Sequence, residues 1–211
     1  MSSADRTRAP RKSPDARRAE IAHAARDLAH EHGLTALTLR AVAARIGVAP
    51  GLVAHYEPSM DALVARTFRA VVAAELDEVG ALVAARPDPP ARLAALLRTL
   101  LDSARSDVTV VWVEAWALGR RNEPLAHAVR EEMDAWQSLI EGVVADGASS
   151  GAFRVADPAV TAWQVLGMID GLNAQALVRW GDAGERGSLI EHAVEGMLGL
   201  ERGTLEAASA A

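Results

Sequence analysis

The sequence of 211 residues predicts an all-α protein, with a small three-helix unit at the N-terminus and a larger helical domain behind it. Three observations lead there. Apolar residues recur at i, i+3, i+4, i+7 in segment after segment, the period of a helix with one buried face. The breaks between segments carry helix signals: Ser, Thr or Asp before the start, Pro at the first position, Gly after the end. No segment sustains strand alternation. Asp107–Arg121, DVTVVWVEAWALGRR, is rich in Val and Thr, yet its length and its helical neighbours favour a buried helix. The expected division is a basic, disordered arm over 1–15, the three-helix unit over 16–60, the larger helical domain over 61–203 and a disordered tail over 204–211.

Composition narrows the classes. Half of the residues are hydrophobic, enough for a proper core, and no apolar run reaches bilayer length. There is no Cys, which excludes disulfides, thiolate metal sites and a Cys nucleophile. The opening MSSADRTRAPRKSPDARR lacks the apolar segment of a secretory signal, so a soluble cytoplasmic protein is expected. Charge is unevenly spread. Residues 1–60 hold 9 Lys+Arg and 6 Asp+Glu, a net +3; residues 61–211 hold 13 and 22, a net −9. A basic head on an acidic body suits a nucleic-acid-facing unit joined to one that is not.

The first helix is expected from about Asp15 to Glu31, with Ile21, Ala24, Ala25 and Leu28 as its stripe and Gly33 as its stop. Arg17 and Arg18 flank that stripe, within reach of a phosphate. His23 and His30 share a face, but no carboxylate completes a metal set at helical spacing, so no metal site is expected. The next stretch, TLRAVAARIGVAPGLVAHY over Thr38–Tyr56, organises the rest. Thr38 stands at an N-cap position, and Leu39, Val42, Ala43 and Ile46 form a buried stripe. Gly47 ends this helix, because Gly enters the left-handed region cheaply. Pro50 then opens a second short helix that Pro58 closes. Helix, Gly-containing turn and helix at this spacing form a helix-turn-helix pattern, whose second helix enters the DNA major groove.

These residues carry a resemblance. Gly33, Thr38, Val42-Ala43, Ile46-Gly47-Val48, Gly51, His55-Tyr56, Pro58-Ser59 and Leu63 together resemble the DNA-binding domain of the TetR family of bacterial transcriptional regulators, over about 50 residues. The His55-Tyr56 pair is most similar to the choline-responsive, BetI-type subgroup. The residues expected at DNA are Arg17, Arg18, Thr38, Arg40, Ala49, Pro50, Gly51, Leu52, Ala54, His55 and Tyr56. The recognition helix lacks Arg, Asn and Gln, so thymine methyls and DNA shape have to supply much of the discrimination. Two positions depart from the family. Glu57 stands where an aromatic residue is usual, and Met60 where a Lys near a phosphate is usual. A Glu facing a phosphate would repel it, which leaves weakened DNA binding as an alternative reading.

Further along, Ser59 is expected to cap a long helix over about Met60–Ala85, followed by helices over about Pro90–Ala104, Asp107–Arg121, Pro124–Ala145, Pro158–Trp180 and Ser188–Leu200. The last two are strongly apolar and suit the seam of a symmetric dimer, an arrangement the resemblance also implies. The residues expected there are Trp163, Leu166, Ile169, Leu177, Ile190, Val194 and Met197.

Trp112 and Trp116 are four apart and share a face, and with the Asn122-Glu123-Pro124 turn they also resemble the choline-responsive subgroup. In TetR-like proteins the ligand cavity lies among these helices. An acid among aromatic rings holds a quaternary ammonium by cation–π attraction. The expected ligand residues are therefore Trp112, Glu114, Trp116, Met133, Trp136 and Asp170; the competing reading takes the Trp residues as core filler. No phosphate loop, HExxH or nucleophile elbow is present, so no catalytic residue, cofactor or enzyme activity is expected. The reading as a whole is a homodimeric regulator, a repressor released from double-stranded operator DNA by a small-molecule effector, without a membrane partner. A helical ligand-binding or protein-interaction protein with weakened DNA binding, and an all-helical enzyme with an unrecognised site, are the alternatives.

Overall fold

The structure, a computed structural model, describes residues 12–210. Most of the expected N-terminal arm lies outside the described residues, and its last three positions belong to the first helix or its cap. The three-helix unit consists of α1 (Pro14–His32), α2 (Leu39–Arg45) and α3 (Pro50–Tyr56). Behind it come α4 (Met60–Ala84), α5 (Pro89–Leu100), α6 (Ser106–Gly119), α7 (Glu123–Ser149), α8 (Pro158–Leu177), α9 (Ala183–Leu198) and α10 (Thr204–Ala210). Short 3-10 turns cover Leu34–Ala36 and Ser103–Arg105.

The helix starts follow local chemistry. The side chains of Ser13, Thr38, Ser59, Asp88, Asn122 and Asp157 each accept a hydrogen bond from a backbone N–H of the first turn they precede. Each such cap stabilises its helix by about 1 kcal/mol. Gly33 ends α1 at φ 79°, and a Cβ there would lie 2.5 Å from Glu114 Oε2, so conformation and space both require glycine.

The core is built on α4 and α7, which pack along each other, with α8 beyond α7 and α6 wedged between α1 and α7. On α4 every fourth residue faces inward: Leu63, Thr67, Val71, Glu75, Val79 and Val83 are all buried. A carboxylate inside that stripe is unusual, and it marks the site described below.

Three expectations change. The ninth helix begins at Ala183, five residues before Ser188, whose hydroxyl donates to the Glu185 carbonyl inside the helix instead of capping it. The tail after Gly203 is not disordered: α10 lies against α5 with Leu205 fully buried. The cause is Glu195, whose carboxylate accepts from the backbone N–H groups of Gly203 (3.0 Å) and Leu205 (2.9 Å) at the start of α10. The apolar faces of α8 and α9 are also assigned differently. Leu166, Ile169, Ile190 and Val194 are buried within the chain itself, and Leu177 and Met197 are half-buried. The outward apolar face instead carries Val160, Trp163, Gly167 and Gly171 on α8, Val178 and Trp180 just beyond it, and Leu189 on α9. Of the expected dimer residues only Trp163 points outward, 67% exposed. The physical reason is that α8 is apolar on two opposite faces, and only packing decides which one the core takes.

Candidate DNA-binding face and ligand cavity

The turn between α2 and α3 presents Ala49, Pro50, Gly51 and His55 to solvent, with Leu52, Ala54 and Tyr56 half-buried and Val53 in the core. Thr38 Oγ1 is engaged in its cap, accepting from Ala41 N–H at 3.1 Å. Arg40 is exposed and has no side-chain partner among the described residues, whereas Arg45 pairs with Glu31. Arg17 and Arg18 are held by acids of their own helix, Glu20 at 2.6 Å and Asp15 at 3.1 Å. Arg18 also lies over the Tyr56 ring, 5.8 Å from its centroid, so it fixes that ring beside α3.

Glu57 does not stand open to a phosphate. It is 9% exposed, and Arg66 of α4 pairs with its carboxylate. Met60 packs against the core. The repulsion expected from Glu57 is thereby offset by a cation nine residues on, and Arg66 joins Arg18 and Tyr56 around one hollow beside the end of α3. Sequence reasoning missed Arg66 because the pairing crosses from α3 to α4. Arg40→Ala is expected to weaken binding to all DNA sequences alike and to lower the salt slope by roughly one unit. Fluorescence anisotropy across a salt series measures this, and an unchanged slope removes Arg40 from the interface.

The second site is a cavity of about 480 Å³, its open mouth included, among α4, α6, α7 and α8. Its lining includes Trp112, Met133, Trp136 and Asp170, four of the six expected residues. Phe68 meets the Trp112 ring edge-on at 5.0 Å, and Trp116 lies tilted against Trp112 at 5.8 Å, behind the lining rather than in it. Trp136 is 3% exposed, and its buried Nε1 finds no hydrogen-bond partner among the described residues. Asp170 meets no cation and no donor there either, and burial pushes its carboxyl up to about 6.

The place expected of Glu114 falls to another acid. Glu114 is not in the cavity: Thr35 donates to it twice, from the backbone N–H at 2.9 Å and from Oγ1 at 2.8 Å. Its place is taken by Glu75, the carboxylate in the α4 stripe, which lines the cavity together with Arg105. Burial raises Glu75 to about 7, against the pull of Arg105 and a hydrogen bond from Trp112. Glu114 and Asp107 thus leave α6 toward the three-helix unit, the Asp107 carboxylate accepting from His30 Nδ1–H at 2.7 Å. One helix places Trp112 in the cavity and two acids on the DNA-facing unit.

A three-helix helix-turn-helix unit carried on an all-helical domain defines a DNA-binding regulator. The chain belongs to the TetR family of bacterial transcriptional regulators: residues 21–67 match the bacterial regulatory proteins of the tetR family, and residues 89–199 match the C-terminal domain of BetI-type transcriptional repressors. Comparison with curated proteins finds no match. Among solved structures, the fold is shared with a protein described as a transcriptional regulator from Pseudomonas aeruginosa PAO1, at TM-score 0.74 and 22% identity over 90% of this chain and 93% of that one. A regulator from Saccharomonospora viridis in complex with choline gives 0.75 and 23%, over 87% and 97%. FadR of Bacillus subtilis in complex with stearoyl-CoA gives 0.67 and 17%, over 85% and 98%. Among the described residues no helix is long and apolar enough to cross a membrane.

Proposed function

We propose that the protein is a homodimeric repressor acting on cytoplasmic DNA, released from its operator when a small organic cation enters the cavity. The observation that carries this is Asp170: a carboxylate lining a cavity with Trp112 and Trp136, and left without a cation. A carboxylate beside aromatic faces suits an ammonium group, which gains cation–π attraction and counter-charge together. The BetI-type match over the second domain and the choline bound by the Saccharomonospora viridis regulator support the same chemistry. Dimerisation is supported by the outward apolar face of α8 and α9, which a second copy would cover. A ligand displacing Trp112 acts on α6 and, through Glu114 and Asp107, on α1 and the Thr35 turn. The two recognition helices then lose the spacing of about 34 Å that half-sites one turn apart require. Glu57 no longer motivates the weakened-binding alternative.

The test is operator release. DNA from upstream of the protein's own gene is bound in the presence of choline, tetramethylammonium or the neutral carbon isostere of choline. The two cations are expected to weaken operator binding and the isostere to leave it unchanged. Equal effects of all three would reject the cationic reading, and indifference to sequence would reject the operator.

A further inference from the structure

The cavity holds three charged side chains. Asp170 is uncompensated, but Glu75 has a permanent companion: Arg105, on the 3-10 turn before α6, sets Nη1 3.6 Å from Glu75 Oε1. Its other nitrogen, Nη2, reaches Glu78 Oε1 at 2.6 Å, and the Glu78 side chain is 60% exposed, so water screens that second charge. Glu75 and Arg105 are 8% and 19% exposed, and their interaction is screened far less. Inside the cavity Arg105 is therefore spent on Glu75.

We propose that Arg105 is the specificity-determining residue of the cavity: as a built-in cation it cancels Glu75, leaves Asp170 as the one carboxylate free for a ligand, and so restricts the effector to monocations against diamines and bis-quaternary ions. This deepens the cationic-effector reading and rests on it, adding the charge number of the ligand. A monocation is neutralised by Asp170 and covered by Trp112 and Trp136. The second positive end of a dication meets the Glu75–Arg105 pair, where Arg105 already occupies the counter-charge. Two like charges about 6 Å apart in a medium of intermediate dielectric reduce binding on the order of a hundredfold. A lone Asp170 would not set this limit, because Glu75 lines the same cavity and would serve the second charge.

The experiment is a charge cycle by calorimetry on the full chain, with choline and putrescine as probes, at about pH 8.5, where both cavity carboxylates are ionised. Wild type is expected to bind choline and to reject putrescine. Arg105→Gln exposes Glu75 and is expected to gain putrescine affinity by at least about tenfold. Glu75→Gln leaves Arg105 opposed only by the solvent-screened Glu78, so its charge is no longer cancelled inside the cavity, and is expected to lose choline affinity by a similar factor. The double variant has the wild-type charge count and is expected to recover choline binding to within about threefold of wild type, which a merely structural role for Arg105 would not produce. A double variant that stays as weak as Glu75→Gln overturns the proposal, and so does an Arg105→Gln protein with unchanged preference. Should Arg105→Gln fail to fold, the comparison of the double variant with Glu75→Gln decides alone. A wild type that prefers putrescine overturns the role of Arg105 while the cationic reading stands; a wild type that binds neither probe removes both.

Discussion

Trp163→Asp is expected to yield a folded monomer whose operator affinity has fallen by roughly 10²–10⁴. Trp163 is 67% exposed and touches little of its own chain, so its loss costs the fold almost nothing. It sits on the outward face of α8 between Val160 and the small residues Gly167 and Gly171, which let another helix approach closely. A buried aromatic side chain contributes heavily to an interface, and a charge in its place is desolvated without a partner. A symmetric dimer meets each such substitution twice. Loss of the dimer removes the second half-site contact, which is where the large factor on DNA arises. Sedimentation at micromolar concentration, with thermal unfolding as the control for folding, checks this. A variant that stays dimeric places the seam elsewhere.

Asp170→Asn is expected to stabilise the ligand-free protein by about 2 kcal/mol near pH 7.5 and to change nothing near pH 3. The carboxyl is raised from 3.8 to about 6 by burial alone. Below pH about 3 the folded and unfolded chains both hold the proton, so an amide is equivalent to the acid. As pH rises toward 6 the unfolded chain ionises while the folded one resists, and the fold loses stability across that window. Partial exposure trims the full figure. The same substitution is expected to lower choline affinity at least tenfold, since the counter-charge is gone. In wild type, choline binding is expected to weaken as pH falls through about 7 and then 6, as Glu75 and Asp170 take up protons in turn. Urea unfolding at both pH values measures the stability change. A variant less stable than wild type at pH 7.5 would mean that Asp170 has a partner in the folded state.

The helices up to α8 were legible in the sequence because their signals are local: a capping hydroxyl or carboxylate, a proline at the first turn, an apolar stripe. The losses come where two distant segments decide. Ser188 has the chemistry of a cap, but a helix already under way from Ala183 uses its hydroxyl internally. Thr204–Ala210 is too short and too small to declare itself, and it is ordered by Glu195 from a different helix. That Trp112, Met133, Trp136 and Asp170 line one cavity follows from their residue types together with the place the family resemblance implies for it. Glu114 was misplaced because a carboxylate two residues from Trp112 on a helix faces away from it. Glu75 is masked in the sequence by its acidic neighbours Asp77 and Glu78. A signal was available there: Glu75 falls four residues after Val71 and four before Val79, on the buried stripe of α4. An acid on an apolar stripe needs a partner or a purpose.

The double attachment of α6 has a thermodynamic consequence. Trp112 belongs to the cavity, while Glu114 grips Thr35 and Asp107 meets His30, so an effector in the cavity and DNA on the three-helix unit would bear on the same helix from its two sides. Linkage makes such an arrangement reciprocal: whatever factor the effector takes from the affinity for DNA, DNA takes from the affinity for the effector. Chromosomal sites then set the sensitivity of the sensor. A molecule seated on its operator is harder to trigger than one diffusing free, and the pool of unbound protein answers to lower concentrations of the same signal.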